Sequence, residues 1–193
     1  MVTVGEIVKN EVMRQFTEMG TDILRVTSES NNPIHHASIP LSAAQNVPAH
    51  CPLIAAAAPF TSESVELGFK GKNVYLPVLG VTENFADLSK LEITKGRFIS
   101  DLDILMPFCV LSQKALKKQI KPGMVDPIGK TLLYKGKALT ICGVIGDVTV
   151  GGLRPYSASF GIFVPISLSF RMMEEPRLKS VMARLQSGTD WKL

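Results

Sequence analysis

The spacing of apolar positions changes period along the chain, and the predicted elements change with it. From residue 4 to 19, apolar side chains fall at Val4, Ile7, Val8, Val12, Phe16 and Met19. Steps of three and four predict an amphipathic helix. Thr3 with Glu6 forms a capping-box start, and Gly20 is a natural stop. Ile23, Leu24 and Val26 predict a strand. Residues 27–40 are polar, end in Pro40 and read as a loop. A short helix is expected from Leu41 to Asn46, ended by Val47-Pro48 because the residue before a proline avoids helical geometry. Leu53–Phe60 is a short apolar run carrying Pro52 and Pro59 at its edges. Val65, Leu67 and Phe69 then alternate with Ser64, Glu66 and Gly68, the period-2 pattern of a half-buried strand. Lys70-Gly71-Lys72-Asn73 turns it into a returning strand over 74–81.

Beyond this hairpin, Phe85, Leu88, Leu91 and Ile93 are expected to pack together, and Gly96 to hold a conformation that a Cβ would strain. Val110-Leu111 reads as a buried strand. Ser112 opens a helix to about Ile120, with Ala115, Leu116 and Ile120 inward, lysines outward and Pro122-Gly123 ending it. A second hairpin joins Thr131–Tyr134 to Ala138–Val144 about Lys135-Gly136. Gly151-Gly152 and the serines at 157–159 mark a flexible loop, read either as a connector or as a partner-binding element. Phe163–Ile166 is a strand end leading into a short helix over 167–173, and Val181–Leu185 is a last strand. Strands outnumber long helices, and helices interrupt them irregularly. The expected fold class is therefore α+β with mixed sheets, not a doubly wound sheet.

Composition narrows this reading. The 193 residues are 46% hydrophobic and 20% charged, which is globular. A chain of this size buries roughly 70% of its unfolded surface and needs no metal or disulfide to fold. No stretch reaches the ~18–20 apolar residues of a membrane helix, and no basic-then-apolar export signal opens the chain. A role outside the cytoplasm would need a segment beyond these residues to place it there. The formal charge of +4 is too mild for a nucleic-acid footprint, and no nucleic-acid partner is expected. The charge is partly concentrated: residues 114–137 carry seven lysines against one acid, Asp126. A solvated helix face plus a hairpin edge blunted by lysines is one reading. A patch facing anionic headgroups or an acidic partner is the other. Cys51, Cys109 and Cys142 lack metal-ligand spacing, and Cys109 and Cys142 read as small core residues.

Chemistry is sparse. His35 and His36 are adjacent and point to opposite sides of an extended chain, so with His50 they read as solvated loop residues, not metal ligands. No HExxH, calcium loop, P-loop or Gly-x-Ser-x-Gly elbow is present. Asp101 and Asp103 could serve as paired carboxylates for acid–base work, but a turn after Gly96-Arg97-Phe98 is the simpler role. Arg97 is expected to pair with a buried carboxylate as a clamp. Gly143-Val144-Ile145-Gly146-Asp147 lacks dinucleotide-fingerprint spacing and no helix follows it. No catalytic, cofactor-binding or metal residue is assigned.

Five short signatures remain: Gly80-Val81-Thr82-x-Asn84-Phe85, Gly96-Arg97-Phe98-Ile99-x-Asp101, Asp126-Pro127-Ile128-Gly129-Lys130-Thr131, Gly143-Val144-Ile145 and Val164-Pro165-Ile166. Their order and spacing, with Met19–Val26 ahead of them, resemble the extracytoplasmic core domain of MacB-type ABC transporter permeases, a group that includes FtsX-like and LolCE-like members. The resemblance implies two lobes: a porter-like lobe from 1–81 and 163–193, and an inserted Sabre-like lobe over 82–162. It implies a domain on the periplasmic side of the bacterial cytoplasmic membrane, anchored by transmembrane helices outside these residues. It also implies an ABC ATPase subunit or domain, an adaptor (membrane fusion) protein and a permease dimer as partners. Related members export macrolides, peptides or toxins, extract lipoproteins, or pass force to cell-wall hydrolases. The implied work is conformational, not enzymatic. The alternatives are a free-standing secreted hydrolase, for which Asp101 and Asp103 would matter, or a ligand-binding module.

Overall fold

The chain is described from a computed structural model over residues 22–28, 39–69, 71–117, 126–147, 155–174, 176–178 and 180–186. The predicted helix 4–19, most of the 27–40 loop with His35 and His36, the end of the 112–120 helix, Gly151-Gly152 and residues 187–193 lie outside those residues. Nine strands form one mixed sheet: β1 (Ile23–Thr27), β2 (Ile54–Phe69), β3 (Lys72–Val81), β4 (Ile93–Gly96), β5 (Phe108–Ser112), β6 (Thr131–Tyr134), β7 (Lys137–Ile145), β8 (Ile162–Pro165) and β9 (Ser180–Leu185). The helices among the described residues are short: α1 (Leu41–Gln45), α2 (Val47–His50), α3 (Asn84–Leu88), α4 (Gln113–Ala115) and α5 (Ile166–Met172). The α+β class with a mixed sheet is what the pattern predicts.

Pairing runs β1-β9-β2-β3-β8-β5-β7-β4, and β6 bridges β2 and β7. The β3–β8 and β5–β7 ladders are parallel and the others antiparallel. Strands β2, β3, β8, β5, β7 and β6 thus return on themselves as a ring. It closes where β6 pairs Tyr134 with Leu67 and Leu133 with Gly68. Alternate residues of all six strands point into the ring, among them Leu67, Leu76, Leu111, Tyr134, Ile141 and Val164, and they form one continuous core. A small ring has no room for a channel, so side chains fill it.

Outside the ring lies a second core, where α3 covers Ala58, Phe60, Leu79, Val81 and Phe163. Four rings run through it: Phe60 to Phe85 at 5.3 Å, Phe85 to Phe163 at 6.1 Å and Phe163 to Phe98 at 5.7 Å. Two of them, Phe85 and Phe98, belong to the short sequence signatures. A third cluster joins Ala44 of α1 to Ala57, Ile166, Leu178 and Val181.

The apolar run after Pro52 is the first half of β2. Ala57 faces one core and Ala58 and Phe60 another, so this half is buried on both faces and does not alternate. The second half lines the ring and alternates Val65 and Leu67 inward against exposed Ser64 and Glu66. Pro59 is tolerated at the handover, since it pairs with Val181 of β9 while the β3 ladder begins only at Phe60.

Several expectations need correction. Val47-Pro48 ends α1 but also opens α2, where a proline in the first turn gives up no helical bond. The first hairpin is tighter than predicted, with β3 already starting at Lys72. Ile93 is exposed because β4 lies at the rim of the sheet. The serines at 157–159 lie in a 3-10 turn whose Ala158 and Ser159 are buried. The lysine-rich second hairpin is not a free edge, because β6 pairs on both sides.

Candidate functional site

The segment between β4 and β5 is organised by one ion pair. Gly96 has φ 67°, and a Cβ there would sit 2.1 Å from the Cys142 carbonyl oxygen. Its partner Gly143 is equally tight: a Cβ would lie 2.0 Å from the Arg97 carbonyl oxygen. Two facing glycines thus bring the backbones close enough for the Arg97 N–H to bond Cys142 O at 3.0 Å. This fixes Arg97, whose Nη1 and Nη2 donate to Asp103 Oδ2 at 2.6 Å and Oδ1 at 2.8 Å. The guanidinium also lies over Phe108, 5.2 Å from its centroid. Asp103 accepts a further bond from the Ser100 N–H at 3.0 Å. These bonds, Arg97's first, hold the Asp103 carboxyl below its usual range, and the same pairing raises the Arg97 guanidinium.

The expectation of a buried carboxylate for Arg97 is met, and Asp103 supplies it. Asp101 is not its twin. It is exposed, its Oδ1 accepts from the Glu83 N–H at 3.1 Å, and its own N–H donates to Glu83 Oε2 at 3.1 Å. One carboxylate is neutralised by arginine and the other caps backbone, so the pair does not form an acid–base dyad. The signal that sequence reading passed over is the apolar content of this loop, Leu102, Ile104, Leu105 and Met106.

A groove of about 1260 Å³ runs along the exposed side of β2, between Arg25 of β1 and the 173–177 segment. It carries both signs of charge: Arg25, Lys135 and Arg177 against Glu63, Glu66 and Glu174. Lys135 pairs with Glu63 and donates to Met172 O at 3.0 Å, and Arg25 stacks over Phe60 at 5.3 Å and donates to Ser180 Oγ. In the ring core, the Tyr134 hydroxyl is buried without a hydrogen-bond partner. Burial, and then the Glu63 carboxylate, push its pKa up to about 12.

The remaining candidates fall apart as chemistry. His50 ends α2 in solvent, its Nδ1 2.9 Å from Asn46 O. Among the described residues no three potential ligands gather as a metal site. Cys51, Cys109 and Cys142 are free, and burial pushes the Cys109 thiol up and, to a lesser degree, Cys142. Of the lysine stretch, Lys130 donates to Asp126 O and Lys135 is tied as above, while Lys117 and Lys137 are exposed. Among the described residues no helix is long and apolar enough to cross a membrane.

A family model described as the MacB-like periplasmic core domain matches residues 1–193. Over 94 residues the chain is 29% identical to the macrolide export ATP-binding/permease protein MacB of Neisseria gonorrhoeae. That match spans 48% of this chain but only 14% of the relative's length. The periplasmic region of MacB from Actinobacillus actinomycetemcomitans superposes with a TM-score of 0.76 at 19% identity, covering 94% of this chain and 82% of that one. The extracellular domain of the noncanonic ABC-type transporter YknZ from Gram-positive bacteria gives 0.68 at 16% identity, covering 86% and 85%. At such identities the likeness shows the fold alone.

Proposed function

The chain belongs to the MacB-like periplasmic core domain family, and from that premise we propose that it is the outer domain of an ABC transporter permease that relays ATP-driven movement to substrate efflux or to an adaptor. The observation that carries this reading is the family match over the whole of residues 1–193. ATP is bound and hydrolysed by a separate domain or subunit. The permease is a dimer in the cytoplasmic membrane, with this domain on its outer side. The groove along β2 is where substrate or partner is engaged, since a concave site with both charge signs orients a ligand without transforming it.

Relay requires a part that moves. We place the movement between two lobes, 1–81 with 163–193 and 82–162. Few ladder pairs join them, although the cores inside and outside the ring draw residues from both. Across the boundary β5 meets β8 at Val110–Phe163, β3 meets β8 at Val78–Ile162, and β6 meets β2 at Tyr134–Leu67 and Leu133–Gly68. By contrast β2 and β3 pair continuously from Phe60–Val81 to Phe69–Lys72. Small shifts at short joints suffice to give two discrete arrangements, which coupling needs.

The full gene is expected to encode one span of ~20 apolar residues before residue 1 and three after residue 193. A tag inserted in this domain is expected to be cut by protease added outside intact spheroplasts. A gene without hydrophobic anchors on either flank, or substrate turnover by the purified domain, overturns the reading.

A further inference from the structure

The loop between β4 and β5 presents the most concentrated exposed apolar surface among the described residues. Leu102 is 91% exposed and Ile104 67%, and Leu105 and Met106 stand beside them. Exposed apolar residues scattered singly need no explanation, but four within five positions do. The loop is also held in place. Asp103 is anchored by Arg97, the Met106 N–H donates to Asp103 O at 3.0 Å, and the Leu105 N–H donates to Ser167 Oγ at 3.1 Å. Leu105 has φ 59°, a conformation a branched side chain resists, so the surrounding bonds impose it. The outcome is an apolar tip displayed on a rigid base.

We propose that this tip is a docking element for a second protein, one that offers an apolar recess bordered by lysine or arginine side chains. The charge around the tip selects that chemistry. Arg97 is spent on Asp103, whereas the exposed carboxylates Glu83 and Asp101 rim the base, on a chain whose net charge is +4. An acidic rim repels an anionic bilayer. The chain's own lysine-rich surface is a poor complement, because Lys135 is held by Glu63 and Met172 O and Leu133 stands out instead of forming a recess. A pre-formed loop also loses little entropy when it docks.

The test places a photo-crosslinking amino acid at Leu102 or Ile104 in the full-length protein in its native cells, with Leu53 and Leu133, exposed and outside the β2 groove, as control positions. Adducts are mapped by mass spectrometry. The expected result is one protein adduct shared by positions 102 and 104 and absent at the controls, on an apolar segment flanked by basic residues. Glu83→Gln/Asp101→Asn retains the loop's hydrogen-bond acceptors and is expected to lower that adduct roughly tenfold, with Glu83→Lys/Asp101→Lys lower still and rescued by Lys→Glu at the mapped partner site. Unchanged melting of the purified charge variants confirms that folding is intact; if the lysine variant unfolds, the isosteric variant decides. A lipid adduct, an adduct to a second copy of this chain, no signal above the controls, or an adduct indifferent to the charge changes overturns the proposal. None of these bears on the span count, so this proposal and the permease reading fail separately.

Discussion

At the scale of single residues, the loop between β4 and β5 rests on the two hydrogen bonds that Arg97 donates to Asp103. A lone arginine after a glycine, in a stretch with two aspartates, announces an ion pair, because burying a guanidinium unpaired is costly. It does not announce which aspartate. That choice is made by the close approach of Gly96 to Gly143, a contact 47 positions away along the chain (143 − 96). The energetics follow from the pairing. Asp103 is nearly buried and accepts three bonds, while Arg97 remains half exposed. Asp103→Asn is therefore expected to cost about 1.5 kcal/mol at pH 7, the low end for hydrogen bonds to charged groups. The folded state holds this carboxyl's pKa below its unfolded value, so the ion-pair stabilisation is fully present above the ordinary aspartate range and is lost as pH falls through the depressed folded pKa. Urea melts at pH 7, about 4 and about 3 check this. The gap between wild type and Asp103→Asn should narrow as pH drops, and a gap constant across that range contradicts the assignment.

At the scale of elements, apolar runs and alternation predict most strands, β4 excepted, and the misread segments are explained by tertiary packing. Ile54–Phe60 reads as an ambiguous apolar run because two cores cover it, a fact of tertiary packing with no local signature. The exposed loop 102–106 was passed over for the opposite reason, since apolar letters normally imply burial. Helix α3 was legible only as packing residues. Its end is a Schellman motif: the Leu91 N–H bonds Ala86 O at 2.8 Å and the Lys90 N–H bonds Asp87 O at 3.0 Å. Lys90 occupies the left-handed position, φ 47°, where glycine is usual. Relief of Cβ strain there exceeds the added flexibility of unfolded glycine, so Lys90→Gly is expected to be more stable than Lys90→Ala, which loses the same side-chain interaction but keeps the Cβ, by about 0.5–1 kcal/mol. Thermal melting reads this as a melting temperature about 1–4 °C higher for the glycine variant. A lower melting temperature for glycine than for alanine contradicts the strain argument.

At the scale of the whole molecule, fold class was legible and topology was not. Period-2 segments separated by short helices specify a mixed sheet, but nothing local says that β6 reaches back to β2 and closes a ring. The closure is also where function can be tested. Gly68 and Leu133 face each other across the joint, and a Cβ built at Gly68 lies 3.3 Å from Leu133 Cβ. That is just short of the ~3.5–4.5 Å spacing of disulfide-bonded Cβ atoms, a gap that a shift of a few tenths of an ångström closes. Gly68→Cys with Leu133→Cys is therefore expected to form a disulfide that fixes β6 to β2. If lobe movement transmits the ATPase cycle, the oxidised pair in the reconstituted transporter should keep its fold and lose most of its ATP turnover, and a reductant should restore it. The same oxidation of each single-cysteine variant controls for Cys51, Cys109 and Cys142. Full turnover with the disulfide intact would mean that the ring moves as one body, and the relay would then have to lie between this domain and the membrane, not within it.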